Sequence, residues 1–280
     1  MTKKKENEQG PFYAPTIAEI QQRFDLPSLA QGNPAEGEIL AIVRGVFDSV
    51  KIRPSDSIGI MLASLGARFK ENLWISYAQE RMTYPDAPLY ALASVFNTER
   101  VTGRRADWIM WLDDDVSVPP DVFYKLRQAA DPKERPFVAA VGFDRLHPYW
   151  PAVWETINGK LVRWEYPPDK GVYQVRGTGL VCALMHRSLF DRLPQPWFAI
   201  SPCVLTDPNG NKDIKRGIKP DSWLTSVMSD AGIPVYVECS VTTTHFGQAI
   251  PINRYTAPIL RGLGMFENKS ESERQFRGQV

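Results

Sequence analysis

The chain has 280 residues, 43% of them hydrophobic, which is enough for one large domain or two small ones with a sizeable core. Its 33 lysine and arginine residues balance 32 aspartate and glutamate residues, so the formal net charge of +1 gives no overall attraction to nucleic acid or to an anionic membrane. Three cysteines without a CxxC pair argue against structural zinc and a disulfide framework, and no apolar run reaches transmembrane length, so we expect a soluble cytoplasmic protein with no membrane partner.

The first 54 residues are predicted to form a tail and a helical extension. Residues 1–15 are polar and contain glycine and proline, which is typical of a disordered tail. Residues 16–54 are predicted to hold a short helix over 16–24 and a longer helix over 34–50. The longer helix is predicted from apolar side chains at helical spacing: Ile39, Ile42, Val43, Val46, Phe47 and Val50.

The main domain is predicted over residues 55–250, and it begins with strands that alternate with helices. Short apolar segments predict buried strands, and Pro119–Pro120 is a pair that a first helical turn tolerates. The predicted elements are a strand over 57–65, a helix over 88–102, a strand over 108–112, a helix over 119–130 and a strand over 137–142. This alternation predicts an α/β sheet with parallel strands.

The second half of the domain is predicted to be richer in strands. Asn158–Gly159 separates two alternating segments, 153–157 and 160–164, which predicts a β-hairpin with a tight turn. The remaining predictions are strands over 172–175, 180–185, 235–237 and 241–244, a short helix ending at Leu193, a mobile basic loop over 201–220, a helix over 221–231 and a C-terminal extension over 251–280.

Three adjacent carboxylates, Asp113, Asp114 and Asp115, follow the apolar segment 108–112. One interpretation is a solvated acidic turn that caps the next helix. The other is a site for a hard divalent cation such as Mg²⁺ or Mn²⁺, which would relieve the repulsion between the carboxylates. In an extended segment Asp113 and Asp115 would project to the same side. The buried strand before the triplet favours the cation site, because a ligand site lies beyond the carboxyl end of such a strand.

The acidic segment resembles the DXD region of GT-A glycosyltransferases of the family-2-like kind. Later segments resemble further motifs of that family in the same order: Gly177–Leu180 with Arg187–Phe190 and Pro196–Phe198, then Pro220–Leu224, then Thr244–Gly247. The resemblance spans residues 57–247. It implies a GT-A (nucleotide-diphospho-sugar transferase) fold, a Rossmann-like mixed sheet flanked by helices, here with an N-terminal helical extension. Pro220 departs from the family pattern, which has an acid at that position.

The resemblance also assigns roles to single residues. Asp113 and Asp115 match the DXD acids and His245 matches an additional metal ligand, so these three would hold Mn²⁺ or Mg²⁺ on the donor diphosphate. Asp114 would point the other way, toward the ribose or the sheet edge, or would serve as structural support. Asp221 matches the second acid of its motif and would be the general base of an inverting transfer, whereas the alternative for Asp221 is a helix cap.

The donor is expected to be a nucleoside-diphosphate sugar, with uridine as the base. The base pocket is predicted at the end of the strand over 57–65, near Ala63 and Ser64. Gly177 and Gly179 would allow either close approach to the bound sugar or a β-bulge or tight turn. Arg176, beside them, is a candidate for a phosphate contact.

Two other function classes stay open from the sequence. A sugar nucleotidyltransferase of the same fold would need a glycine-rich phosphate loop, which the segment 63–68 matches poorly. A non-catalytic nucleic-acid or carbohydrate-binding module would not need both DXD acids, and both are present. The acceptor could be a protein, a glycan, a lipid-linked sugar or a hydroxymethylated DNA base, the last of these in the host cytoplasm if the chain is viral.

Overall fold

The computed structural model describes residues 37–45, 52–77, 86–144, 148–199, 203–215, 222–246 and 251–262. The predicted tail over 1–15, the short helix over 16–24 and the residues after 262 lie outside this part of the chain. Within it, helices flank a seven-stranded mixed sheet, which confirms the predicted α/β class.

The described strands form one central sheet and three small ones. In chain order they are β1 (Leu40–Gly45), β2 (Leu73–Tyr77), β3 (Trp108–Asp113), β4 (Val116–Ser117), β5 (Phe137–Val141), β6 (Val153–Ile157), β7 (Lys160–Arg163), β8 (Val172–Val175), β9 (Gly177–Thr178), β10 (Cys182–His186), β11 (Cys203–Thr206), β12 (Lys212–Lys215), β13 (Val235–Thr242), β14 (Thr244–Phe246) and β15 (Pro251–Ile252). The central order is β2–β1–β3–β10–β5–β13–β8, and the small sheets are β15–β14–β4, β7–β6–β9 and β11–β12. In the central sheet β10 and β8 run opposite to the other five strands.

Helices cover both faces of the central sheet. They are α1 (Ile52–Phe69), α2 (Asp86–Thr102), α3 (Val122–Ala129), α4 (Leu189–Arg192), α5 (Trp223–Asp230) and α6 (Thr256–Gly262). Because strand side chains alternate, Trp108, Met110 and Leu112 of β3 pack with α1 and α3, whereas Ile109 and Trp111 pack with α2 and α5. The result is a three-layer arrangement. None of the helices in the described ranges combines the length and the apolar character needed to cross a bilayer.

Several predicted elements are confirmed to within a few residues. These are the helix over 88–102, the strands over 108–112 and 137–142, the helix after Pro120, the strands over 172–175 and 180–185, and the helix over 221–231. The predicted hairpin is confirmed as β6–β7. Its turn residues Asn158 and Gly159 have positive φ angles of 52° and 76°, as a tight hairpin turn requires.

Two neighbouring predictions are wrong: the first segment was predicted to be a helix and is a strand, and the second was predicted to be a strand and is part of a helix. The predicted helix over 34–50 contains strand β1, and the predicted strand over 57–65 lies inside helix α1. The first four residues of β1, 40–43, are apolar and buried on both faces, so helical spacing can be found among them. In α1 the buried side chains are Ile58, Met61, Leu65 and Phe69, which follow the three- and four-residue spacing of a helix face.

The predicted domain limits also change, because segments outside residues 55–250 belong to the main domain. β1 lies between β2 and β3, so residues before 55 supply an interior strand of the sheet rather than a helical extension. Part of the predicted loop over 201–220 is the hairpin β11–β12. In the predicted C-terminal extension, Ile252, Ala257 and Leu260 are buried in the core of the main domain.

Candidate functional site

Part of the predicted site lies at one edge of the central sheet. The carboxyl ends of β1, β3, β5 and β13 lie together there, and we call this the carboxyl edge. From β1 the chain passes through α1 to β2 on one side, whereas after β3 it continues to β5 on the other side. The crevice between β1 and β3 is therefore a topological switch point, where open α/β sheets bind ligands. Asp113 lies at this point, in register with Gly45.

The three aspartates are held in different ways. Asp113 ends β3, its N–H donates to the carbonyl of Val181 at 3.0 Å, and its Oδ1 accepts from the indole of Trp111 at 2.8 Å. Asp114 and Asp115 form a turn and are buried, with 3% and 6% of their surface exposed. The expectation that Asp113 and Asp115 share one side of an extended segment therefore fails, because the strand ends at Asp113.

The Asp113 carboxylate affects the pKa of a neighbouring thiol, that of Cys182. Burial, and to a smaller extent the Asp113 carboxylate, raises the pKa of Cys182 well above its ordinary value. Cys182 is fully buried and begins β10 next to Leu112 of β3. The thiol therefore stays protonated and is a packing residue.

His245 is brought to Asp115 by the pairing of β14 with β4. The N–H of Phe246 donates to the carbonyl of Asp115 at 2.8 Å. The imidazole Nε2 lies 3.1 Å from Asp115 Oδ1, and Nδ1 lies 2.8 Å from the carbonyl oxygen of Phe143, just after β5. Residues separated by 130 positions in sequence thus form one contact at the carboxyl edge.

These two contacts restrict the chemistry of the imidazole. The carbonyl of Phe143 can only accept a hydrogen bond, so Nδ1 carries a proton. With Nδ1 protonated, Nε2 and the Asp115 oxygen can contact each other through a proton held by either group or through a cation between the two side chains. A backbone carbonyl on the far ring nitrogen is also how histidine ligands of metal ions are oriented.

Asp115 and His245 form a pair rather than a complete cluster of metal ligands. Among the residues that the structure describes, no three His, Cys, Asp or Glu side chains are grouped to hold an ion. The structure therefore brings two of the three predicted ligands together, and the third, Asp113, stays a prediction. Two protein ligands suit a cation that takes its remaining ligands from water or phosphate.

Packing requires glycine at position 179 but not at position 177. A Cβ at Gly179 would lie 2.9 Å from the Cβ of Ala152, and the Gly179 N–H donates to the Ala152 carbonyl at 2.7 Å. Gly177 pairs with Trp154 of β6, and a Cβ there would lie 3.4 Å from Thr225 Oγ1 of α5, an ordinary contact distance. The close approach at Gly179 therefore has a structural cause.

Arg176 is engaged in an ion-pair network. Its guanidinium pairs with Asp230 at the end of α5, which also pairs with the buried Lys215 of β12. Burial acts against ionisation of Asp230, but hydrogen bonds from Lys215 and Arg176 hold its pKa below the ordinary value. The predicted phosphate contact is therefore replaced by a link between β12, α5 and the start of β9.

The remaining predicted residues lie elsewhere or outside the described chain. Ala63 is exposed and Ser64 is half-buried on α1, so the base pocket predicted at a strand end near them is wrong. Asp221 lies outside the described residues. The helix that follows it begins at Trp223 with Ser222 at the N-cap position, which puts Asp221 one residue before the cap.

Sequence reasoning missed Arg44. This arginine is only 6% exposed and lies in β1 opposite Leu112, one residue before the Gly45–Asp113 pair. A buried guanidinium at the switch point adds positive charge where an anionic ligand would bind. The sequence signal for Arg44 was a basic residue at the end of an apolar run. It was missed because that run was predicted to be a helix rather than a strand ending at the site.

Comparisons with known proteins give the chain no family. No protein-family model and no curated protein matches it. Among solved structures, the chain is similar to A197 from STIV, with a TM-score of 0.47 and 14% sequence identity, over 78% of this chain and 91% of that one.

Proposed function

We propose that this chain is a metal-dependent glycosyltransferase of the GT-A type, which moves a sugar from a nucleoside-diphosphate sugar to an acceptor hydroxyl. The observation that carries the proposal is the Asp115–His245 pair, which lies at the carboxyl edge of the sheet near the switch point at Asp113. The pair places an imidazole nitrogen and a carboxylate oxygen, both common metal-ligand atoms, 3.1 Å apart. The motif resemblance supplies the reaction class, with uridine as the expected base.

The residues present fit a divalent cation. Carboxylate oxygens suit Mg²⁺ and Mn²⁺, and the imidazole nitrogen favours Mn²⁺. The proton on Nδ1, which the Phe143 carbonyl fixes, leaves Nε2 as the ligand atom on the side of Asp115. Asp115 and His245 would hold the ion, with Asp113 as the third candidate. Bound there, the ion supplies positive charge that stabilises the leaving diphosphate.

The chain's own residues would bind the donor and move the proton. Arg44 and the acidic ligands surround the switch point, so the diphosphate is expected at the ends of β1 and β3. The acceptor oxygen forms a bond to the anomeric carbon as that carbon's bond to the diphosphate breaks. Asp221 takes the acceptor's proton in this assignment, which comes from the motif resemblance.

The segment 63–68 cannot be the phosphate-binding loop that a nucleotidyltransferase would need. The segment 63–68 lies within α1, so its amides are occupied by helix hydrogen bonds and cannot form a phosphate-binding loop. We therefore do not propose that activity. The acceptor class stays a prediction, with a glycan, a protein and a hydroxymethylated DNA base as the candidates.

The proposal is tested by sugar transfer. The full chain is incubated with Mn²⁺, a panel of nucleoside-diphosphate sugars and the three acceptor classes, and products are read by mass spectrometry. We expect transfer from one donor, loss of transfer in EDTA, and a loss of at least ~10²-fold for Asp115→Asn because leaving-group stabilisation is removed. Asp131→Asn, the same substitution at the turn before β5 at the opposite edge, is the matched control.

Two results would overturn the proposal. One is the absence of both transfer and donor hydrolysis with every donor. The other is activity that is equal in Mn²⁺ and in EDTA.

A further inference from the structure

A second surface feature lies at the opposite edge of the central sheet. It is an open groove of about 590 Å³ between the end of α2 and the residues around α4. We call it the arginine groove, because its lining includes Arg100, Arg104, Arg105 and Arg187. Arg187 follows β10 directly, and its N–H donates to the carbonyl of Asp107, just before β3, so the groove is at the amino end of β3. It is separate from the Asp115–His245 pair.

The acidic side chains of the groove are already neutralised. Glu99 accepts from the guanidinium of Arg187 at 2.9 and 3.1 Å and from the N–H of Ala106. Asp191 pairs with Arg105 and, at 3.1 Å, with Arg187. Both acids are thus used to position two arginines.

Arg100 and Arg104 have no such partner among the described residues. Arg100 donates to the side chain of Asn97 at 2.9 Å, and Arg104 donates to that of Asn72, so both are bound only by neutral amides. Both arginines are exposed. Four arginines against two acids leave the groove with an excess positive charge in a chain whose net charge is only +1.

One further donor in the groove is unsatisfied. Within the described part of the chain, the buried indole N–H of Trp197 has no hydrogen-bond partner, and Trp197 lines the groove beside Phe96. A buried donor without a partner is energetically unfavourable. The groove therefore offers donors and positive charge and no free carboxylate, so its ligand is an anion with several acceptor oxygens.

The form of the groove favours an extended ligand. Sites for small molecules are concave and mostly apolar, whereas this groove is open and six of its eleven lining residues are charged. Exposed arginines along an open surface are the usual way to bind a phosphate backbone. We propose that the arginine groove binds the phosphodiester backbone of a nucleic acid, with Arg100 and Arg104 as the contacting side chains. This binding is independent of the proposed sugar transfer.

The test is fluorescence anisotropy with a labelled 20-nucleotide DNA strand at several salt concentrations. We expect a Kd of roughly 10⁻⁴–10⁻⁶ M near physiological salt that weakens as salt rises. In the Arg100→Gln/Arg104→Gln double variant, affinity at low salt should fall about ten-fold, and the salt slope should fall by about 1.4, for two lost phosphate contacts.

The matched control removes the same charge elsewhere. Lys160→Gln/Lys170→Gln changes two exposed lysines in and after the β6–β7 hairpin, and it should bind DNA as the unchanged chain does. Equal melting temperatures of both variants confirm that the fold is kept. Three results would each overturn the inference: no binding by the unchanged chain at low salt, an equal loss in the lysine variant, or displacement of the DNA by an equal phosphate concentration of inorganic triphosphate.

Discussion

The imidazole of His245 is the residue-scale feature on which the site depends. It is fixed on one side by the Phe143 carbonyl and faces the Asp115 carboxylate on the other, and only 12% of its side chain is exposed. A structural role needs only a hydrogen bond between His245 and Asp115, whereas a ligand role needs a cation between the two side chains. The two roles therefore differ in whether the pair responds to metal.

Asp221 carries the second residue-scale prediction. We expect Asp221→Asn to lower turnover by ~10²–10⁴-fold, because asparagine cannot take the acceptor's proton. Donor binding and melting temperature should change little, because the N-cap position belongs to Ser222. Steady-state kinetics with the donor found in the sugar-transfer assay measure this. Turnover near that of the unchanged chain would remove Asp221 from the mechanism.

A substitution at Gly179 distinguishes a packing role for this glycine from a contact with the substrate. Gly179→Ala should lower the free energy of unfolding by about 1–3 kcal/mol, because the new Cβ would lie against the Cβ of Ala152. The added change Ala152→Gly should restore most of the loss by removing the opposing atom. Urea unfolding measures both. A Gly179→Ala variant of unchanged stability that had lost sugar transfer would instead support contact with the sugar.

At the scale of elements, the sequence predicted best where a single structural type fitted the pattern. The β6–β7 hairpin was identified because Asn158–Gly159 supports a positive φ at both turn positions. β1 was predicted as a helix because an apolar run that is buried on both faces shows no period of its own. α1 was predicted as a strand because its apolar segment was read as a short buried run, although its buried side chains have helical spacing. What distinguishes them is length and long-range pairing: β1 has six residues between two partner strands, and α1 has eighteen.

Gly66 tests the corrected assignment of α1. It lies inside the helix, and a Cβ added there would meet no atom within 4 Å. Gly66→Ala should therefore raise the free energy of unfolding by about 0.5–1 kcal/mol through the lower helix propensity of glycine. Chemical denaturation gives the value. A clear loss of stability would contradict the helical assignment at this position.

At the scale of the whole molecule, the site is assembled from strand ends that are distant in sequence. Arg44 lies in β1, Asp113 ends β3, Phe143 follows β5 and His245 lies in β14, just after β13. The sequence indicated Asp115 and His245 through their motifs. It could not show that Asp115 contacts His245 directly or that Arg176 is held by Asp230, because both depend on tertiary packing.

The position of β1 predicts how the chain responds to truncation. A chain that begins at Ser55 lacks Leu40, Ile42 and Val43, all fully buried between β2 and β3. Each such side chain contributes about 1.5–3 kcal/mol on burial, so the sum approaches the 5–15 kcal/mol that stabilises a typical domain. We expect no cooperative thermal transition and rapid proteolysis. A truncated chain that melts cooperatively, as the full chain does, would restore the predicted boundary at residue 55.

The central claim is that Asp115 and His245 hold a divalent cation together with the donor diphosphate. It is tested most directly by titrating Mn²⁺ in the presence of uridine diphosphate and following the free-ion signal by electron paramagnetic resonance. We expect His245→Ala and Asp115→Asn each to weaken Mn²⁺ binding by ~10–100-fold. His186→Ala, the same change at the opposite end of the sheet, should bind Mn²⁺ as the unchanged chain does. Equal Mn²⁺ affinity in all four proteins, or no Mn²⁺ binding by the unchanged chain, would contradict the account.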